Sequence, residues 1–199
     1  MPSNLPPHPE SSPLADLARV DRTLTREEVA TVLNHVPLFV LADDEEAILK
    51  AVARIVTEGR QGIGSVVKLD GDIQQCFDAL PKMEAGHLPI VLCHDGAQAE
   101  TAARIVCERQ IGESVLIFDQ QMGFPKGFDV FMGLNGKFPP TTTRVLHSAT
   151  LPQDIKECIE AGILDVTLAK PMNSAEMREK IAQAHLRRTL GASANIESK

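Results

Sequence analysis

Three chemically capable residues close three short apolar runs. SVLIFD ends in Asp119, RVLHS ends in Ser148, and DVTLAK ends in Lys170, which Pro171 follows at once. Each run has the length and apolar content of a buried strand. In an open parallel α/β sheet, ligands and reacting groups gather outside the carboxyl ends of the strands. The pattern therefore predicts that an acid, a hydroxyl and an amine meet at one sheet edge. That trio suits an aspartate that takes and loses a phosphoryl group, because such chemistry needs a nucleophile, positioning and charge neutralisation.

A fourth element lies upstream. LFVLADDEEAILKAVARIV places Asp43-Asp44 between a strand-like run and a helix-like one. Taken alone, each of these residues has an ordinary structural role. An acid before a helix is a cap or a dipole partner, and a Ser after a strand is a turn residue. Their joint order carries the meaning.

The elements that must position these residues alternate. Strands are predicted near 38–42, 65–69, 89–93, 114–118, 144–148 and 165–169. A helix near 45–58 has Ala47, Ile48, Ala51, Val52 and Ile55 on one face, and a helix near 97–109 has Ala99, Ala102, Ala103 and Val106. Helices also fit 72–83, 152–161 and 174–187. The last is capped by Asn173 or Ser174 with Glu176, and buries Met177, Ile181 and Ala184. Apolar strands alternating with amphipathic helices imply an α/β fold, a parallel sheet with helices on both faces.

Asp119 precedes Ser148 by 29 residues, and Ser148 precedes Lys170 by 22. The loop after the acid reads Asp119-Gln-Gln-Met122-Gly123-Phe-Pro-Lys-Gly127. With the Asp43-Asp44 pair, the Ser148-Ala149 step and the Lys170-Pro171 step, the region 37–187 resembles the receiver domain of two-component response regulators. The resemblance implies a flavodoxin-like, doubly wound parallel sheet. It implies Asp119 as phosphoacceptor, Ser148 as hydrogen-bond donor to a phosphoryl oxygen, and Lys170 as its counter-cation. It implies Mg²⁺ held by Asp43, Asp44, Asp119 and the main-chain carbonyl of Gln121. The phosphoryl donor would be a histidine kinase or a phosphotransfer protein. The protein would be a stand-alone phosphoacceptor that catalyses its own transfer and dephosphorylation rather than an enzyme, with an output by contact with an unknown downstream protein. A different class of function is a pseudo-receiver, a binding module that works without phosphorylation. A phosphatase using Asp119 as nucleophile would need an acid two residues on, where Gln121 stands.

The chain departs from the family in three places. Six strands are predicted where the family has five. Asp44 and Asp119 lie 75 residues apart, longer than the family pattern by about 30 residues, the length of one βα unit. A short internal echo, FVLADD…ARIV…SVVKLD (39–70) against IVLCHD…ARIV…SVLIFD (90–119), suggests a duplicated unit. An extra strand beyond the second would keep the acid pair beside Asp119. The alternative places His94-Asp95 there; the flanking DDEEAILKAV favours Asp43-Asp44. Gly123 stands where the family has Pro, and Thr167 where it has a switch aromatic.

Composition bounds the rest. The 199 residues suffice for one full core, and the net charge of −7 argues against generic binding to nucleic acid or anionic membrane. Cys76, Cys93, Cys107 and Cys158 have no metal or redox spacing and read as buried thiols of a cytoplasmic protein. No signal peptide or long apolar run is present. Residues 1–13 are Pro- and Ser-rich and read as a disordered tail. Residues 14–36 form a helical extension, opened by the capping box Thr25-Arg-Glu-Glu28 and carrying Val29, Val32, Leu33 and Val36. Packing on the sheet and a homodimer contact are both open to it. Residues 188–199 form a tail, loose and polar from 191. The run Gly59 to Gly64 precedes a strand, so it reads as a helix end and turn rather than a phosphate cradle.

Overall fold

Four strands are buried along their whole length: β1 (Leu38–Ala42), β3 (Leu88–Cys93), β4 (Ser114–Asp119) and β5 (Thr143–Ser148). Burial on both faces is why these runs are continuously apolar rather than alternating. β2 (Val66–Leu69) and β6 (Val166–Ala169) sit at the two edges and are part-exposed. The computed structural model describes residues 23–59, 65–150, 155–171 and 173–196. All neighbouring strands are parallel, in the order β2-β3-β1-β4-β5-β6. The six predicted strands are all present, each end within one residue of its predicted place. Without β2, the order is that of the five-stranded doubly wound sheet, 2-1-3-4-5. The added strand, β2, therefore lies outside β3, at the edge.

Helices cover both faces. On one, α1 (Arg26–Asn34), α2 (Glu46–Thr57) and α7 (Ser174–Ile196) bury Phe39, Leu41, Ile90, Val115, Ile117 and Leu168. On the other lie α3 (Ile73–Ala79), α4 (Gly96–Glu108), α5 (Gly127–Gly133) and α6 (Ile155–Glu160). They cover Val40, Val91, Leu116, Phe118 and Leu146. Phe118 stacks on Phe131 of α5 with ring centroids 4.8 Å apart.

Several predicted details change. The apolar face of α2 is rotated from the expected one: Leu49, Val52, Ala53 and Val56 are buried, while Ala47 is exposed and Ala51 half-buried. The helix is apolar over much of its circumference, and the larger side chains take the core. The predicted helix 72–83 is cut at Ala79 and continues as a 3₁₀ turn, Leu80–Lys82, where Pro81 has no N–H to donate. The expected polar tail instead continues α7 to Ile196. Arg188 anchors that extension by donating to the Thr142 carbonyl and pairing with Asp165, and Thr189 is buried. α5 was not predicted; it is two turns long between glycines.

The capping box of α1 forms as read, with reciprocal bonds between Thr25 and Glu28. Val29, Val32, Leu33 and Val36 are buried within the chain, and α1 packs on α7. Residues 1–13 and 14–22, the tail and the first part of the predicted extension, lie outside the described residues, as do 60–64 and 152–154. No helix among the described residues is long and apolar enough to cross a membrane. The four cysteines are free and buried.

Candidate functional site

Parallel register brings the strand ends level. β1 lies between β3 and β4, with Ala42 opposite both Cys93 and Phe118, so Asp43 and Asp119 follow at the same height. The chain leaves β1 toward β3 and β2 on one side and reaches β4 on the other. This is the topological switch point, where a crevice opens beyond the strand ends.

Asp43 and Asp119 are 2% and 4% exposed, while Asp44 is exposed. Carboxylate oxygens of Asp43, Asp44 and Asp119 lie within 4.8 Å of one another. Lys170 bridges the two buried acids. Its Nζ stands 2.7 Å from Asp43 Oδ2 and 3.0 Å from Asp119 Oδ1. The remaining oxygens take backbone donors: Glu45 N–H donates to Asp43 Oδ1 and Gln121 N–H to Asp119 Oδ2, each at 3.0 Å. Burial raises the Asp43 pKa, and it stays above the ordinary value although Lys170 pulls it down. Burial of the Lys170 amine, which alone would lower its pKa, is outweighed by its bonds to Asp43 and Asp119, so it is raised. The cation is thus firmly retained.

The donor set fits a small hard cation. It offers several carboxylate oxygens, one side open to water through Asp44, and no sulfur or imidazole, which suits Mg²⁺.

Ser148 is fully buried at the end of β5. Its hydroxyl donates to the Thr150 carbonyl at 2.8 Å and accepts from the Thr150 N–H at 3.1 Å, closing a small turn. To reach a phosphoryl oxygen it must give up the first of these bonds. The Lys170 N–H donates to the Ser148 carbonyl at 2.9 Å, tying β6 to β5 where the two candidate site side chains emerge.

The loop after Asp119 is braced. Met122 is buried, and its carbonyl accepts from the Gly96 N–H at 3.0 Å. Gly123 has φ +86, a conformation closed to Pro, which accounts for the family's Pro being absent here. A Cβ on Gly127 would run into the Asp119 carbonyl oxygen, so α5 starts hard against the acid's own backbone.

His94-Asp95 does not join the cluster. Asp95 caps α4 through the Gln98 N–H, and His94 Nε2 pairs with Asp70 at 2.8 Å. His147 is the residue that sequence reasoning undervalued. It aligns in register with Asp119 on the next strand and is 8% exposed. Burial and then the Lys170 charge lower its pKa to about 4, against a smaller opposing pull from Asp119. A neutral imidazole therefore walls the site at neutral pH. The period-2 alternation of β5 was the available signal, since the face carrying Thr143 and Val145 must also carry residue 147.

No protein-family model matches the chain, and no curated protein matches it. Solved structures do. The signal receiver domain of a putative Luxo repressor protein from Vibrio parahaemolyticus is similar at 17% identity and TM-score 0.50, over 79% of this chain and 96% of that one. An adenylate cyclase from Rhodopirellula baltica matches at 17% identity and TM-score 0.51, over 80% and 94%. A receiver domain of a sensor histidine kinase from Pseudomonas aeruginosa, with magnesium coordinated in its active site cleft, matches at 19% identity and TM-score 0.46, over 78% and 98%. At such identities the similarity is one of fold. The chain has the doubly wound fold of response-regulator receivers, with one strand added.

Proposed function

We propose that this protein is a response-regulator receiver that accepts a phosphoryl group on Asp119 from a phosphohistidine of a kinase or phosphotransfer protein. The observation that carries the reading is the convergence of Asp43, Asp44 and Asp119 around the Lys170 ammonium at the switch point of the sheet. An Asp119 oxygen attacks phosphorus, the P–N bond to the donor imidazole breaks, and an acyl phosphate forms. Water later attacks phosphorus and releases phosphate, restoring the carboxylate. Gln121 N–H and Lys170 hold the carboxylate in a fixed orientation, so little reorganisation is needed as charge crowds at the phosphoryl oxygens. Lys170 stays charged throughout and moves its attraction from Asp119 to the new phosphoryl group. Ser148, once released from the Thr150 carbonyl, donates to one phosphoryl oxygen. Asp43, Asp44, Asp119 and the Gln121 carbonyl would hold Mg²⁺, which when bound supplies further neutralisation of phosphoryl charge.

The output of such a domain is contact with another protein rather than turnover of a substrate. Thr167, in place of an aromatic, leaves the Ser148 turn as the movable part of the site.

Intact mass after incubation with acetyl phosphate and Mg²⁺ tests this directly. Wild type should gain one phosphoryl group, and Asp119→Asn or added chelator should abolish the gain. A wild type that takes up neither phosphoryl nor beryllofluoride would leave the pseudo-receiver, a binding module independent of phosphorylation, as the better account.

A further inference from the structure

Among the described residues, the added strand β2 leaves one flank of the sheet open. β2 pairs only with β3, and on the α2 side Val66 and Lys68 align with Leu88 and Ile90. The β3 residues are covered, at 2% and 0% exposure, but Val66 is 36% exposed. A helix is about 10 Å wide and strands are about 4.8 Å apart, so one helix covers roughly two strands. α2 packs on β1, and Val66 on β2 stays part-exposed beside it.

The uncovered flank is a groove of about 780 Å³ between α2 and the edge strand, its floor formed by Ala47, Ala51 and Val66 and its rim by Lys50, Arg54 and Lys68. Ala47 and Ala51, one turn apart, make a row of small residues against which another helix can approach closely. Lys50 pairs with Glu46 at 2.6 Å, whereas Arg54 and Lys68 make no ion pair among the described residues. On a chain of net charge −7, this is a local excess of positive charge.

We propose that this groove docks an acidic amphipathic helix of a partner protein, laid beside α2 over β2. The helix would complete the layer that β2 left unfinished, setting its apolar side on Ala47, Ala51 and Val66 and its carboxylates against Arg54 and Lys68. Charge selects this occupant. A second copy would bring Lys50, Arg54 and Lys68 against their own kind. An added strand is discouraged by the shortness of β2 and by Lys68 on it, the usual guards of an edge.

Fluorescence anisotropy of the full chain with three labelled synthetic peptides tests the proposal. One is a helix-forming peptide with a Leu face flanked by Glu; the second replaces Glu by Lys; the third has the first one's composition in alternating, strand-forming order. The acidic helix should bind saturably and weaken with salt. Arg54→Glu/Lys68→Glu should lower its affinity on the order of tenfold, while Lys137→Glu/Lys156→Glu, with the same net charge, should bind as wild type. Urea titration confirms that each variant is folded. No saturable binding, equal loss in both double variants, tighter binding of the strand-forming peptide, or a dimer in sedimentation that Arg54→Glu/Lys68→Glu abolishes or tightens would each overturn it.

Discussion

Lys170→Met should expose how much the paired acids cost the fold. The side chains of Asp43 and Asp119 are 3% and 5% exposed, and Lys170 touches both. Met keeps most of the lysine stem and removes only the charge. Two carboxylates at the 4.8 Å limit of the cluster repel by roughly 3.5 kcal/mol at an effective dielectric of about 20. Losing one partner of a buried ion pair costs about 3–5 kcal/mol by general experience. The variant should therefore lose about 3 kcal/mol of unfolding free energy at pH 7 in chelator, read from urea titration. Two routes relieve the loss. One carboxylate can bind a proton, since its pKa in the folded variant then lies above that of the unfolded chain. The folded state then holds more protons than the unfolded state, so this contribution to stability falls as pH rises and returns as pH drops from 7 toward 5. A divalent cation replaces the lost charge, so Mg²⁺ should stabilise the variant more than wild type. The quantity to follow is the difference between wild type and variant, in which contributions common to both cancel. A difference near zero at pH 7, or one that neither acid nor Mg²⁺ reduces, would refute the claim that Lys170 neutralises the pair.

Two further outcomes follow from buried groups. His185 is 1% exposed, donates or accepts a single bond with Thr143 Oγ1 at 2.9 Å, and has its pKa pushed down to about 4 by burial. The unfolded chain takes up that proton near pH 6.5, so stability falls as pH drops from 6.5 toward 4. The share lost by pH 5 is about 2 kcal/mol, and urea titrations of wild type and His185→Gln at pH 7 and 5 should show a shallower fall in the variant. Gly127→Ala forces a methyl into the Asp119 carbonyl oxygen, which should cost about 1–3 kcal/mol and slow labelling of Asp119 by acetyl phosphate. Labelling at the wild-type rate would show that the Asp119 backbone is not held by α5.

Local signals made most of the fold legible. The strands are continuous apolar runs with polar ends, and such runs have few other places to go in a chain of this length. Helix faces were less readable when a helix had apolar residues on more than half its girth. In α2 both the Ala47/Ala51 row and the Leu49/Val52/Val56 row are apolar, and only the position of the neighbouring strands decides which turns inward. The end of α7 was missed for a related reason. Its anchors, Arg188 to the Thr142 carbonyl and to Asp165, span long stretches of sequence, and no local pattern announces them. At the site, the acids and Lys170 were readable because each follows a strand directly. His147 was not, because a histidine inside an apolar run is usually no more than a core residue. The Ser148 turn was also hidden, since a hydroxyl can serve its own loop or a ligand with the same sequence.

The internal echo holds at the centre of the sheet and breaks at its outer pairings. Exchanging the unit 38–70 with the unit 88–119 maps the run β2-β3-β1-β4 onto itself, with α2 and α4 falling on opposite faces. Under that exchange Asp70 corresponds to Asp119, and His94-Asp95 to Asp43-Asp44. The central pairing keeps the correspondence, with Phe39 opposite Ile90. The outer pairings do not. Leu38 aligns with Ser114, but the matching pair is broken because Pro89 aligns with Val67, two residues beyond Ser65. A two-residue slip is about 6.6 Å along the strand. Asp70 therefore falls short of the height that Asp119 reaches, and His94 Nε2 meets it in a half-exposed hydrogen bond rather than joining an acid cluster. Nor, among the described residues, does any strand lie outside β2 to bring a second Lys170. Ser148 and Lys170 come from the two strands beyond the acid, and among the described residues β4 alone of the two matched strands has such neighbours, in β5 and β6. The half that ends in Asp70 thus has no such cation among the described residues, and the surface it offers is the basic groove along its edge.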